Sequence, residues 1–165
     1  MTSAASSDVA IPVRSLQAGV LTGFTSRHGG HSSAPYGELN LSYSVGEDSS
    51  AVDRNRELVL EVVGAPRLAW LRQVHGADVV YAGDLAPGET PEADAIFTDS
   101  PAVAVGVLVA DCAPVLLADG VAGLAGAAHA GRPGMAAGVV PALVAAMTKA
   151  GGDPGRMTAL IGPAI

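Results

Sequence analysis

The sequence predicts a single, strand-rich α/β domain, and three observations lead to this prediction. A chain of 165 residues, of which 49% are hydrophobic and 15% charged, can bury a sizeable core and is too apolar to stay disordered. Most of its apolar segments are short and are separated by turn-forming residues, which is typical of strands. Two longer segments, residues 49–63 and 135–150, have instead the pattern or composition of helices. We expect residues 1–15 to form a flexible tail and residues 16–165 to form the domain.

The predicted strands are short apolar segments bounded by residues that favour turns. In chain order the eight segments are residues 20–25, 68–74, 78–81, 94–98, 103–110, 115–118, 121–128 and 157–161. A tight turn at Asp119 and Gly120 predicts that residues 115–128 form a hairpin. Residues 82–93 contain two prolines and two glycines, so we predict a loop there, or a lid over a site.

The two predicted helices differ in how clearly their ends are marked. The first covers residues 49–63, with Ser50 as its N-cap and Gly64 as its stop. The second covers residues 135–150 and contains Pro141. Proline in a helix predicts a kink, or a helix that begins properly only at that residue.

The composition of the chain excludes several classes of function. The net charge is −7 and the nine basic residues are scattered, so we expect no nucleic-acid partner. No apolar segment is long enough to span a membrane, and the N-terminus has no basic region followed by an apolar one, as a signal peptide would. A single cysteine fits a reducing compartment. We therefore expect a cytoplasmic protein.

Three reactive side chains lie at the ends of apolar, strand-like segments, namely His75, Cys112 and His129. The rim of a sheet can gather such residues, and three N and S ligands with a vacant fourth position are typical of catalytic zinc. Alternatively, Cys112 is a nucleophile with a histidine as its base, or the three residues have structural roles. Their separations along the chain match no common zinc-finger spacing, so all three interpretations stay open at this point.

A glycine-containing loop at residues 26–32 is a candidate anion site. Such a loop can present backbone N–H groups, and here also Arg27, to an anion, although the pattern by itself favours an ordinary surface turn. We expect His28 and His31 to be surface residues. Residues 55–56 of the first helix could help to hold this loop.

Two charged residues flank the reactive ones. Asp111 precedes Cys112 and could orient a histidine or contact substrate, or it could simply cap the hairpin. Arg132 follows the His-Ala-Gly sequence at residues 129–131 and could bind a phosphate or carboxylate, or lie in solvent.

Five motifs follow one another along the chain. They are Thr-Ser-Arg-His-Gly-Gly at residues 25–30, Leu-Asn-Leu at 39–41, Trp-Leu-Arg-Gln-Val-His-Gly at 70–76, Ala-Asp-Cys-Ala-Pro-Val at 110–115 and His-Ala-Gly at 129–131. In this order they resemble the YfiH family, also called laccase-domain or polyphenol-oxidase proteins. The resemblance implies a single domain of mixed β-sheet flanked by helices, and zinc bound by His75, Cys112 and His129, with copper as a less favoured metal.

The resemblance also implies an activity, the phosphorolysis of purine nucleosides. Adenosine, inosine or methylthioadenosine would react with phosphate to give the base and a ribose 1-phosphate, and adenosine would also be deaminated. Catalytic roles are then expected for Cys112, His129 and Asp111, and contacts with substrate or phosphate for Arg27, Asn40 and Arg132. We expect a monomer or a weak homo-oligomer.

Two departures from the family pattern and three alternative functions accompany this assignment, and one of the alternatives is a non-enzymatic binding module. Residues 132–134 read Arg-Pro-Gly where the family has Trp-Arg-Gly, and family members continue beyond residue 165 with a segment that this chain is expected to lack. The main alternative is a Cys–His hydrolase or amidase of the peptidoglycan-editing type. A copper polyphenol oxidase is less favoured, because the chain has four histidines and no His-x-His pair.

Overall fold

The computed structural model describes residues 14–17 and 19–165 of the chain. They belong to two compact units, which we call the loop–helix unit (residues 23–64) and the sheet unit (residues 14–22 and 65–165). Residues 1–13 of the predicted tail lie outside the described residues, so the predicted domain bounds stay a prediction.

The loop–helix unit contains a short 3₁₀ turn, Tyr43–Val45, and helix α1, Ser49–Val63. The bounds of α1 are those predicted, but the predicted N-cap is wrong. The cap is Asp48, whose carboxylate accepts a hydrogen bond of 2.7 Å from Ser50 N. An aspartate at this position satisfies a free N–H group and also places negative charge at the positive end of the helix dipole.

Among its described residues, the sheet unit contains nine strands, two α-helices and a short 3₁₀ turn, Ala82–Asp84. The strands are β1 Arg14–Gln17, β2 Val20–Thr22, β3 Arg67–Ala69, β4 Val79–Tyr81, β5 Ala95–Thr98, β6 Val103–Val105, β7 Ala113–Asp119, β8 Leu124–Ala130 and β9 Thr158–Ile161. The central sheet has the order β4-β5-β8-β7-β9, in which only the β4–β5 pair is parallel. Strands β1 and β2 form an antiparallel pair, and β3 and β6 a parallel one. The predicted strands at residues 78–81, 94–98 and 157–161 match β4, β5 and β9 to within one residue.

The helices of the sheet unit are α2, Arg132–Ala137, and α3, Val139–Lys149. The single helix predicted over residues 135–150 is therefore divided. Gly138 separates the two helices with a left-handed φ of 88°, a conformation that glycine adopts without strain. Pro141 lies in the first turn of α3, where no intrahelical N–H donor is needed.

The central sheet buries both of its faces, because successive side chains along a strand point to opposite sides. On one face Phe97, Leu117 and Leu124 pack with Leu143 and Met147 of α3. On the other face the cluster is formed by Ala69, Leu71, Ala82, Ala93, Ile96 and Ala127, with Val103 and Val105 of β6 packed against it. This mixed sheet with helices confirms the predicted α/β class. No helix within residues 14–17 and 19–165 is long and apolar enough to cross a membrane.

Three predicted strands are much shorter in the structure, and one of them, residues 20–25, is reduced to β2, Val20–Thr22. Residues 68–74 and 103–110 were expected to be extended throughout, but only β3 and β6 form a ladder. Beyond it, a side chain replaces the backbone pairing. The Gln73 amide donates from Nε2 to Leu108 O and accepts from Leu108 N on Oε1, both at 2.7 Å. A glutamine amide carries the same donor and acceptor as a peptide group, so it substitutes for one rung of the ladder.

Candidate metal centre

The three predicted reactive residues come together in the sheet unit. Each of His75, Cys112 and His129 offers one ligand atom, and these atoms all lie within 4.8 Å of one another. His129 is the sixth residue of β8 and Cys112 immediately precedes β7. Because Pro114 is paired with His129, the hairpin brings Cys112 to the same end of the sheet, as predicted. The His-Cys-His cluster could hold a metal ion.

The register of the hairpin places Cys112 beside the end of β8. Cys112 lies one residue before the Ala113–Ala130 pair, and a Cβ added to Gly131, the residue after Ala130, would lie 2.9 Å from Cys112 Sγ. The register of β5 with β8 places Asp94 beside His129, since Ala95 pairs with Ala128 and His129 N donates to Asp94 O at 2.7 Å. The pairing of β8 with β7 and with β5 thus brings Cys112, His129 and Asp94 to the same end of the sheet.

Asp94 is the buried centre of this arrangement, with 0% of its surface exposed. Its carboxylate accepts a hydrogen bond of 2.7 Å from His129 Nδ1, which leaves Nε2 as the other ring nitrogen. It also accepts from three consecutive backbone groups, Val74 N at 3.1 Å, His75 N at 2.9 Å and Gly76 N at 2.6 Å. Burial opposes ionisation, but the bonds from His129 and from these N–H groups together lower the pKa of Asp94. The group is therefore a carboxylate at neutral pH.

His75 has a strained backbone and an exposed side chain. Its φ of 61° is in the left-handed region, and it is the single non-glycine residue with positive φ among residues 14–17 and 19–165. Such a conformation costs roughly 1–2 kcal/mol for an L-residue. The hydrogen bonds from its own N–H and from its neighbours to Asp94 hold it there. Strain of this kind is a feature of functional sites.

Gly131, the last residue of the His-Ala-Gly motif, has to be small. A Cβ atom on it would lie 2.8 Å from His75 Nδ1 and 2.9 Å from Cys112 Sγ. Its own φ of −69° is one that any residue can adopt, so the requirement comes from the close approach. The glycine lets the chain pass directly beside two of the three ligand atoms.

Asp111 and Arg132 also belong to the sheet unit, and both are exposed. The main-chain oxygen of Asp111 accepts a hydrogen bond of 3.0 Å from Ile165 N. Arg132 is the first residue of α2. The carboxylate that orients a histidine is Asp94 rather than Asp111. The catalytic role of Asp111 and the phosphate contact of Arg132 stay predictions.

In the loop–helix unit the buried Asn55 holds the glycine loop, as the sequence indicated. Its Oδ1 accepts from His31 N at 2.7 Å, and its Nδ2 donates to Ser32 Oγ and to Asn40 O, both at 2.8 Å. The side chain of Asn40 in turn donates to Ser42 O and Glu47 Oε2, so its N–H groups are used within this unit. Its expected contact with substrate stays a prediction.

The backbone hydrogen bonds of the glycine loop favour the surface-turn interpretation over an anion site. His28 N donates to Ser26 Oγ, Gly29 N to Glu38 Oε2 and Ser32 N to Glu38 O, so these N–H groups serve internal acceptors rather than an anion. The bond from Gly29 lowers the pKa of Glu38, whose negative charge then lies beside the loop. His28 and His31 are surface residues, as expected. The exposed Arg27 borders a groove of about 290 Å³.

Asp94, Gln73 and Gly131 were not recognised as site residues from the sequence. For Asp94 a signal existed, because it directly precedes the apolar residues 95–97 within a predicted strand. A carboxylate buried with such a segment needs partners, which marks it as part of a polar site. Gln73 and Gly131 lie within the recognised motifs, but their roles depend on contacts with Leu108 and with the cluster, which are distant in the chain.

Comparison with known proteins agrees with these motifs. Residues 21–165 match the family model described as multi-copper polyphenol oxidoreductase laccase. A purine nucleoside phosphorylase of Streptomyces coelicolor is 53% identical over 147 residues, which are 87% of this chain and 60% of that protein. One of Mycobacterium bovis is 39% identical over 143 residues, or 86% of this chain and 57% of that protein. The chain thus spans about three fifths of the length of these curated relatives.

Solved structures show the same fold. A Neisseria meningitidis protein superimposes with a TM-score of 0.82 at 43% identity, covering 95% of this chain and 62% of that one. The Bacillus licheniformis hypothetical protein YfiH superimposes with a TM-score of 0.81 at 31% identity, covering 88% and 58%. The fold and the motifs therefore agree, and the chain belongs to the YfiH, or laccase-domain, family, whose model is described as multi-copper polyphenol oxidoreductase laccase.

Proposed function

We propose that this chain is the metal-binding part of a zinc-dependent purine nucleoside phosphorylase that also deaminates adenosine. The observation that carries the proposal is the cluster of His75, Cys112 and His129, whose ligand atoms lie within 4.8 Å of one another. The printed names of the relatives, purine nucleoside phosphorylases, support the substrate class. The proposed substrates are adenosine, inosine or methylthioadenosine, together with phosphate.

The donor set fits zinc. Two imidazoles and one thiolate are common zinc ligands, and catalytic zinc sites use three protein ligands and keep a fourth position open. His75 is exposed, so the cluster can be reached from solvent. Zinc, when bound, supplies Lewis-acid chemistry. We prefer zinc to copper because multicopper oxidases need many imidazoles, whereas the chain has four histidines.

The residues of the chain have distinct parts in the proposed reactions. His129 keeps its proton on Nδ1 towards Asp94 and uses Nε2 as a ligand, and Cys112 binds as thiolate. In deamination, water replaces the amino group and ammonia leaves; Asp111, exposed beside Cys112, transfers the proton. In phosphorolysis, a phosphate oxygen attacks the anomeric carbon and the base leaves with the electron pair of the glycosidic bond. In the sheet unit, Arg132 is the proposed phosphate ligand, and the phosphate contact expected of Arg27 stays a prediction.

The test is to incubate the zinc-loaded chain with adenosine, with and without phosphate, and to measure adenine, ribose 1-phosphate and inosine. We expect adenine and ribose 1-phosphate only with phosphate, and inosine in both cases. His75→Ala and Cys112→Ala should lose zinc and both activities, whereas His28→Ala, a change at an exposed histidine next to Glu38, should keep zinc. Absence of zinc by elemental analysis, with unchanged turnover in the first two variants, would contradict the proposal.

A second candidate function has one observation in its favour. Asp94, His129 and Cys112 follow one another as carboxylate, imidazole and thiol, which is the order of a nucleophilic triad. In a Cys–His hydrolase or amidase, Cys112 Sγ would attack the amide carbon, His129 would protonate the leaving amine, and water would release the acyl group. This candidate predicts a covalent acyl adduct, inactivation by thiol alkylation and indifference to chelators.

A further inference from the structure

We propose that Asp94 is a positioning residue that arranges both histidine ligands before a metal binds. It does so by setting the tautomer of His129 and the backbone conformation of His75. The inference rests on the metal site of the proposed function and assigns a role to a residue outside the three ligands.

The contacts of one oxygen atom carry the inference. Oδ1 of Asp94 accepts from His75 N at 2.9 Å and from His129 Nδ1 at 2.7 Å, so a single atom joins the two histidines. Asp94 is 0% exposed and His129 is 4% exposed, so water does not compete for these bonds. In addition, His129 N donates to Asp94 O, which aligns the two residues along their strands.

The bond to His129 decides which ring nitrogen can bind a metal. An ionised carboxylate can only accept hydrogen bonds, so the proton of the neutral imidazole lies on Nδ1. Nε2 then carries the lone pair that a metal needs. A carboxylate behind a metal-binding histidine is a recurrent device, and its loss typically lowers metal affinity by about 10–100-fold.

The hydrogen bonds from residues 74–76 to Asp94 fix the backbone of His75, and therefore the position of its Cα–Cβ bond. Three consecutive N–H groups, those of residues 74–76, converge on the two carboxylate oxygens. They hold His75 at its left-handed φ of 61°. An asparagine in place of Asp94 has one oxygen and one NH₂ group, so at least one donor would face another donor. Asp94→Asn therefore disturbs both histidines while keeping the size of the side chain.

The experiment compares Asp94→Asn with Asp119→Asn. Asp119 is a matched control, since it is also 0% exposed and also accepts hydrogen bonds from backbone N–H groups, those of Val121, Ala122 and Asp153. Zinc affinity is measured by competition with a chromophoric chelator. The tautomer of His129 is read from long-range ¹H–¹⁵N correlations of the metal-free protein.

We expect the metal-free wild type to carry the His129 proton on Nδ1. Asp94→Asn should lower zinc affinity about 10–100-fold and lose this tautomer. Asp119→Asn should lower the thermal midpoint without changing either readout. A folded Asp94→Asn protein with wild-type zinc affinity would overturn the inference. If Asp94→Asn does not fold, the wild-type spectrum decides, and a proton on Nε2 would overturn it.

The two proposals fail in different ways. The tautomer is measured without zinc or nucleoside, so it tests Asp94 independently of the activity. A wild-type chain that binds no zinc but carries the His129 proton on Nδ1 would contradict the proposed function and leave the Asp94–His129 arrangement standing.

Discussion

Each end of the β7–β8 hairpin has a buried aspartate that accepts hydrogen bonds from backbone N–H groups, but the two aspartates differ in their side-chain partner. At the turn end, buried Asp119 accepts from the N–H groups of Val121, Ala122 and Asp153, and Arg156 Nη2 lies 3.0 Å from its Oδ2. At the other end, buried Asp94 also gathers three N–H groups. In both places a carboxylate without exposed surface organises a loop by accepting its backbone donors.

The two aspartates differ in their side-chain partner, which is an arginine for Asp119 and a histidine for Asp94. At the turn end, the guanidinium of Arg156 is the remaining hydrogen-bond partner of the Asp119 carboxylate. At the other end the partner of Asp94 is the His129 ring, whose second nitrogen lies in the cluster with Cys112 and His75. A buried carboxylate thus stabilises a turn in one place and orients a histidine of the candidate metal cluster in the other, depending on whether it also bonds to an arginine or to a histidine.

The largest effect is expected from Gly131→Ala, which should affect only the ligand end of the hairpin. The added Cβ would lie 2.8 Å from His75 Nδ1 and 2.9 Å from Cys112 Sγ. The added Cβ displaces the His75 and Cys112 side chains, and metal binding must return them to their positions against an overpacking cost of about 1–3 kcal/mol, so we expect zinc affinity to fall roughly 10- to 100-fold. The measurement is the same chelator competition.

Gly123→Ala is the control for Gly131→Ala, because Gly123 lies in the turn at the opposite end of the hairpin. Its φ is 68° and no atom lies within 4 Å of an added Cβ. It should lower stability through backbone strain and leave zinc affinity unchanged. Equal loss of zinc affinity in both variants would show that general destabilisation, and not the contact with the ligands, is responsible.

Asp119, at the turn end of the hairpin, should make the unfolding free energy depend on pH. The hydrogen bond from Asp153 N, opposed by burial and assisted by Arg156, lowers the pKa of Asp119 from 3.8 to about 2. Because the pKa is lower in the folded state, the ionised carboxylate stabilises the fold above pH 3.8, and this contribution is lost as the pH falls through about 2.

Urea unfolding of the wild type and Asp119→Asn from neutral pH down to pH 2 measures this contribution. The difference in unfolding free energy should be constant above pH 3.8 and shrink below it. A difference that does not depend on pH would mean that the carboxylate charge contributes nothing at this end of the hairpin.

The smallest effect is expected from Gln73→Ala. The variant removes the two hydrogen bonds of 2.7 Å that join the segment before His75 to Leu108. Each bond contributes about 0.5–1.5 kcal/mol, and half-buried Leu108 can bond to water instead, so we expect less than a tenfold loss of zinc affinity. Gln73→Glu keeps only the acceptor for Leu108 N, so its zinc affinity should lie between those of Gln73→Ala and the wild type. If Gln73→Ala lost as much zinc affinity as Asp94→Asn, the smaller role assigned to Gln73 would be contradicted.

Much of the candidate site was predictable because its ligands are chemically distinctive and lie within short motifs. His75, Cys112 and His129 each follow or end an apolar segment, and the hairpin that joins two of them has a clear turn. Helix α1 was predictable to the residue, since its amphipathic pattern and its stop at Gly64 are local signals. The divided helix at Gly138 was missed although its signal is local, since the Gly138 N–H bonds to Gly134 O and Met135 O. The shortened strands β3 and β6 could not be predicted, because the side chain that replaces a strand rung bonds to a distant partner.

The sequence by itself determined the α/β class through its hydrophobic spacing and the family through its short motifs, and it marked three side chains that could hold a metal, because residue chemistry and spacing are local properties of a chain. Only the tertiary structure decided that Asp94 is the common partner of two histidines, that Gly131 must lack a Cβ and that the glycine loop uses its N–H groups internally. These features are distances between atoms far apart in sequence. Strand pairing and burial set such distances, and no single segment contains them.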